Sequence, residues 1–380
     1  MLSMKRWGPL ALVLALGLSA CADDGAEVED PTDGIDDVDD EPGDDDGADD
    51  DGAAAAPADP GGSLLEVVRD RGSVICGVND SVPGFGLTTE DGDFEGFDID
   101  FCRAIAAAVL GDADAVDLIP LTAEARFTAL QSGEIDVLVR NTTWTATRDG
   151  GEGAAFTLPT FYDGQGMMVR ADSGIDSIDD MEGAAICVLS GTTTELNLET
   201  EFASRGLSYE AATFEDNDTL QEAFISDRCD GWTSDRSQLA AIRSAFPDGP
   251  DSVKVLDEVI SKEPLGPAVR DGDSQWFDAV NWTVIATMIG EEFGVDSGNV
   301  NDLVGSVDAD EQPALAKFLG VTGADVGLNL SEDFAVNIIS QVGNYAEIFE
   351  RNVGPNTGLG LERARNALYT EGGLHYPPPY

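Results

Sequence analysis

The 380-residue chain carries 74 Asp and Glu against 20 Lys and Arg, a net charge of −54 at neutral pH. Phosphate backbones need Lys and Arg, so this balance argues strongly against nucleic acid as a partner. Setting aside the eighteen acids of residues 22–60, with Lys5 and Arg6, still leaves 56 acidic against 18 basic residues, a net of −38. A surface that rich in carboxylate points to a salty environment, where screening relieves self-repulsion.

Residues 1–21 open with Lys5 and Arg6, continue through a short apolar run at 10–18, and end Leu18-Ser19-Ala20-Cys21. This is the pattern of a secretory signal peptide, too short in its apolar part to span a bilayer. Its end resembles the lipobox of bacterial lipoproteins, which implies cleavage before Cys21 and acylation of that residue. Residues 22–62 follow as an acidic tether with no Lys or Arg, too polar to offset the entropy of ordering. The chain is expected to be exported and lipid-anchored, on the extracellular face of the cytoplasmic membrane or in a periplasm.

From residue 64 the pattern alternates helix and strand: a short helix at 64–70, a buried strand at 74–78, and a helical stripe at 97–110 closed by Gly111. A strand at 116–119, a helix at 123–131 leaving at Gly133, and a strand running into Asn141 complete a βαβαβ series. A second series begins near 167, with strands at 184–189, 209–213 and 229–233 and helices at 192–204, 219–226 and 237–244. The rest, including 274–293, 312–319 and 333–350, reads as mostly helical and begins no third sheet. The expectation is an α/β chain of two lobes: 63–167 with 268–380, and 168–267. Crossovers near 165–169 and 260–268 would form the hinge, and the C-terminal helices would lie on the first lobe.

With Cys21 assigned to lipid, Cys76, Cys102, Cys187 and Cys229 remain, an even number in an exported protein. Three connectivities are possible, and Cys76–Cys102 with Cys187–Cys229 is preferred because each joins a strand to a neighbouring element of one lobe. No metal or cofactor is expected, since there is no CxxC and the single His is His375.

Three polar turns carry the chemistry. The strand at 135–139 ends in Arg140-Asn141-Thr142-Thr143-Trp144-Thr145, a few residues before Arg148. A guanidinium fork there suits a small carboxylate, although a lone Arg in an acidic protein is more often a solvated ion pair. Ser190-Gly191-Thr192-Thr193 ends a strand and opens a helix, offering free N–H groups to an anion or a plain helix cap. Asp235 ends the next strand, as a cation partner or as a cap. Anion- and cation-seeking groups facing one crevice describe a free α-amino acid.

The segments Gly96-Phe97-Asp98-Ile99-Asp100, Ala129-Leu130-Gln131-Ser132-Gly133, Ser190-Gly191-Thr192-Thr193-Thr194-Glu195 and Thr233-Ser234-Asp235 resemble the family 3 extracellular solute-binding proteins of polar amino-acid ABC transporters. The runs at 140–145, 162–166 and 260–267 are similar to its general L-amino-acid branch, including glutamate/glutamine/aspartate/asparagine-binding members. The resemblance implies a periplasmic-binding-protein-like fold with a two-crossover hinge. It implies that Arg148 and Thr143 hold the α-carboxylate and that Asn141 turns its backbone carbonyl to the ammonium. Thr193, with Gly191 and Thr192, would clamp from the second lobe and Asp235 would pair with the ammonium. Asn79 stands where many relatives carry Asp, while Phe85 and Trp144 are candidate pocket walls. The partners implied are a polar or acidic L-amino acid, an ABC permease and its ATPase, with the receptor itself a monomer. A cleft enzyme of dehydratase type and a ligand-sensing input protein are the rivals, and catalysis is not expected.

Overall fold

The computed structural model describes residues 62–380. The expected signal peptide, the expected acylation site Cys21 and the expected tether up to residue 61 lie outside the described residues. No helix among the described residues is long and apolar enough to cross a membrane.

Two five-stranded sheets carry the two lobes. The first runs in the order Val116–Pro120, Val74–Val78, Val137–Leu138, Ala268–Arg270, Ala154–Phe156; the first three are parallel and the last two antiparallel to their neighbours. The second runs Tyr209–Phe214, Ala184–Leu189, Gly231–Asp235, Gln165–Arg170, Val253–Val255, again parallel then antiparallel. Central strands such as Gln165–Arg170 and Ala184–Leu189 are buried almost throughout, as strands covered by helices on both faces must be.

Helix Phe97–Leu110 begins after Gly96 and stops at Gly111, whose φ of 75° ends the helix at little steric cost. It is buried on nearly every side because the sheet lies under it and the C-terminal helices Ser274–Glu292, Phe334–Gln341 and Tyr345–Asn352 lie over it. Residues 333–350 are thus two helices, not one. Gly343, at φ 106°, breaks the segment, and Asn344 with Glu347 forms a capping box that restarts it. Arg351 donates to Asp100 (2.8 Å), tying the extension to the first lobe.

The chain crosses between the sheets through two three-residue strands, Phe161–Asp163 going out and Glu263–Leu265 returning, which pair antiparallel with each other. The outward crossover comes earlier than 165–169, because residues 165–170 already form a strand of the second sheet against Gly231–Asp235. The C-terminal Asn366 brackets the outgoing hinge strand, accepting from Tyr162 N (2.6 Å) and donating to Tyr162 O (3.3 Å). Disulfides join Cys76 to Cys102 and Cys187 to Cys229, each within one lobe.

Candidate functional site

The polar strand ends of both sheets converge on one cavity. It is narrow and is lined by Asn79, Arg126, Arg140, Asn141 and Thr143 from the first lobe. From the second come Leu189, Thr192, Thr193, Thr194, Ser234, Asp235 and Gln238.

Local structure explains how the first-lobe side chains arrive. Asn141 adopts φ 32°, a left-handed conformation that Asn tolerates better than most residues, and its N–H donates to buried Asp98 (2.6 Å). That bond turns the chain at the end of strand Val137–Leu138. Thr145 then caps helix Ala146–Gly151 by accepting from Arg148 N (3.2 Å), which sets Arg148 in the helix's first turn. The Asn141 side chain bridges the cleft, accepting from Asn79 (3.2 Å) and reaching Asp235 Oδ2 (3.4 Å).

From the second lobe, Thr192 caps helix Thr193–Arg205 through Glu195 N (3.2 Å), so the helix's opening N–H groups sit at the cavity. Asp235 occupies the cap position of helix Arg236–Ser244 yet makes no cap hydrogen bond. Asp163, on the outgoing hinge strand, supplies that cap instead, accepting from Ser237 N (3.2 Å) and Ser237 Oγ. Asp235 is left free for another task. Its carboxylate is buried, Oδ1 has no hydrogen-bond partner, and burial followed by the nearby Asp163 and Glu263 pushes its pKa well up.

Opposite stands a residue the sequence reading passed over. Arg126 is 3% exposed at the start of helix Arg126–Ser132, reaching Thr142 Oγ1 and Gly191 O at 3.4 Å each. Its Nε is buried with no partner. Burial, then the adjacent Arg148 and Arg140, holds its pKa well below the ordinary guanidinium value. Burial likewise brings Arg140 down to about 10. Among the described residues, Asp235 and Arg126 thus both line the cavity and each keeps a buried polar atom, Oδ1 and Nε, without a partner.

Arg148 is not on that lining. Its guanidinium is held by Thr143 O (2.9 Å) and Gly191 O (3.4 Å), and it shares the Phe127 ring with Arg126, each 5.3 Å from the centroid. Phe85 and Trp144 are not among the residues that line this cavity. Phe85 is 1% exposed and packs on Phe97 and Phe161 in the first-lobe core. Trp144 is 41% exposed, lies on Phe156, and donates its indole N–H to Asp149. Gly191 touches the site through its carbonyl, which both Arg126 and Arg148 reach across the lobes.

Residues 74–292 match the model of the bacterial extracellular solute-binding proteins, family 3. The chain is 48% identical over 320 residues to the general L-amino acid-binding periplasmic protein AapJ of Rhizobium johnstonii, covering 83% of this chain and 92% of that protein. It is 44% identical to the glutamate/glutamine/aspartate/asparagine-binding protein BztA of Rhodobacter capsulatus, covering 84% and 93%. Among solved structures, an ABC transporter periplasmic binding protein from Brucella ovis with glutathione bound superposes with a TM-score of 0.79 at 43% identity, covering 84% of this chain and 99% of that one.

Proposed function

This chain belongs to the family 3 bacterial extracellular solute-binding proteins, and we propose that it is a receptor that closes on the zwitterionic backbone of an L-amino acid and presents it to an ABC permease. The observation carrying this reading is the shared lining of one cavity by Asp235 and Arg126, an acidic and a basic residue that each keep a buried polar atom without a partner. Each is costly alone, and a ligand bearing an ammonium and a carboxylate offsets both at once.

In this reading Asp235 and Asn141 take the ammonium. The guanidiniums of Arg126 and Arg148, with the opening amides of helix Thr193–Arg205, take carboxylate. Two arginines around one carbonyl exceed what a single α-carboxylate needs, which favours ligands with a second acidic or amide group. The names of AapJ and BztA point the same way. Both are binding proteins by name, which disfavours the dehydratase-type alternative.

The sequence of residues 1–62 adds that the receptor is acylated at Cys21 and held off the membrane by its acidic tether. A thermal-shift screen against the twenty L-amino acids, followed by calorimetry, tests the ligand. Glutamate, aspartate and their amides should give the largest shifts. A flat response to all twenty would end the proposal. Replacing Cys21 with Ser should release the protein from membranes, and continued membrane retention would remove the anchor.

A further inference from the structure

Glu263 opens the returning hinge strand and is 1% exposed. Its register partner on the outgoing strand is Asp163, a second carboxylate. Two acids directly opposed and enclosed at a hinge are unfavourable unless something holds them there. The second lobe provides it for Glu263. Oε2 accepts from Thr193 Oγ1 (2.9 Å), and Oε1 accepts from Asn197 Nδ2 (3.0 Å) and from Ser261 Oγ. Thr193 and Asn197 lie one turn apart, so the carboxylate grips the first turn of helix Thr193–Arg205.

The same strand is fastened by its backbone to the first lobe's elbow. Trp144 N donates to Pro264 O (2.9 Å), and Gly266 N donates to Thr142 O (3.1 Å). One three-residue strand thus holds both halves of the site.

The direction of the hydrogen bonds follows from proton count. Thr193 has one hydroxyl proton and donates it to Glu263 Oε2 at 2.9 Å, the shorter of its two side-chain contacts. In the 3.4 Å contact between Thr143 Oγ1 and Thr193 Oγ1, Thr143 is then the donor. Resting on the amino-acid-receptor reading above, we propose that Glu263 is a positioning residue for closure. It orients a relay from Thr143 to Thr193 to Glu263 that joins first lobe, second lobe and hinge when the cleft shuts. The consequence for the ligand is specific: Thr193 offers its backbone N–H to a carboxylate, not its hydroxyl.

The test is a double-mutant cycle on L-glutamate affinity and dissociation rate, using Glu263→Ala, Thr143→Val and the double variant. Thr143 and Glu263 share Thr193 as a side-chain partner, and repeating the cycle in a Thr193→Val background, where the coupling should vanish, separates the relay from coupling through the strand's backbone. Each single change should weaken binding about tenfold, mostly through faster dissociation, and the double should lose little more than the worse single. Glu263→Gln, which keeps an acceptor oxygen, should restore most of the affinity. If Glu263→Ala does not fold, Thr193→Val (relay broken) against Thr193→Ser (relay kept) makes the same comparison. Losses that multiply to about a hundredfold, or wild-type affinity in Glu263→Ala, overturn the relay. Wild-type protein that binds no L-amino acid overturns the receptor reading itself, so the two failures are distinguishable.

Discussion

A Cβ placed on Gly191 would stand 3.0 Å from the Cα of Glu124, in the opposite lobe. Gly191 also holds φ 69°, which only Gly adopts without strain. Backbone meets backbone at this point, and Ser190 Oγ adds a 3.3 Å bond to Glu124 Oε2. Gly191→Ala should therefore obstruct the meeting of the lobes. We expect amino-acid affinity to fall at least about tenfold, with only the ~1 kcal/mol stability loss typical of a strained left-handed position. Calorimetric titration beside thermal denaturation checks both halves. Wild-type affinity would show that the close approach is not needed for binding.

Asp235 and Arg126 are the groups whose removal should be felt most. Each would be paired through the ligand, so truncating one leaves the other charge uncompensated in a dry site. Such losses run to about 2–5 kcal/mol. Asp235→Asn should abolish tight binding of every amino acid, since the ammonium is common to all. Arg126→Ala should instead weaken glutamate and aspartate more than alanine, because it removes the guanidinium that Arg148 does not duplicate. Equal losses for acidic and apolar ligands would assign Arg126 to the α-carboxylate alone.

What was legible in the chain followed from strong local signals. Alternating apolar strands and glycine-closed helices made the two lobes readable, as Gly96 and Gly111 do around helix Phe97–Leu110. The strand-end residues Asn141, Thr143, Thr192, Thr193 and Asp235 were findable because a parallel sheet delivers such ends to one edge. The hinge strands were not, being three residues long with no period to detect. Arg126 was missed because it opens a helix and its polar partners, Thr142 and Gly191, are distant in sequence. Phe85 and Trp144 illustrate the converse: an aromatic near a motif does not say whether it faces core, solvent or ligand. The split at Gly343 was missed although its signal is local, since Gly343-Asn344 followed by Glu347 is a stop and a capping box in succession.

The two disulfides close loops of 26 and 42 residues. Loops of that length restrict the unfolded chain by roughly 3–4 kcal/mol each. Cys187–Cys229 joins strand Ala184–Leu189 to a residue two positions before strand Gly231–Asp235; the first strand leads into the turn at Thr192 and the second ends at Asp235. Replacing both Cys187 and Cys229 with Ala should lower the melting temperature by more than about 5 °C. Calorimetric scans with and without reductant give the measurement, and an unchanged transition would mean that the second lobe does not depend on its bridge.

Acid should stabilise this fold and weaken its ligand. Burial raises Asp98 to about 7 and Asp163 to about 6, and raises Asp235 as well. A carboxylate with a raised folded pKa binds protons more tightly in the native state. Its stabilisation is complete below the unfolded pKa and is lost as pH rises through the folded one. His375 opposes this, because burial depresses it to about 3 and its neutral native form costs stability below its ordinary pKa. Three carboxylates against one imidazole leave a net fall in stability between about pH 5 and 7, and self-repulsion in so acidic a chain acts with the same sign. Binding has the opposite dependence. A ligand ammonium beside Asp235 favours its ionised form, so association releases a proton from protonated Asp235 and affinity declines as pH falls. Titrations in two buffers of different ionisation enthalpy, repeated at successive pH values, count that proton. Identical heats in both buffers would mean that Asp235 is already ionised before the ligand arrives, and the expected loss of affinity in acid would be withdrawn.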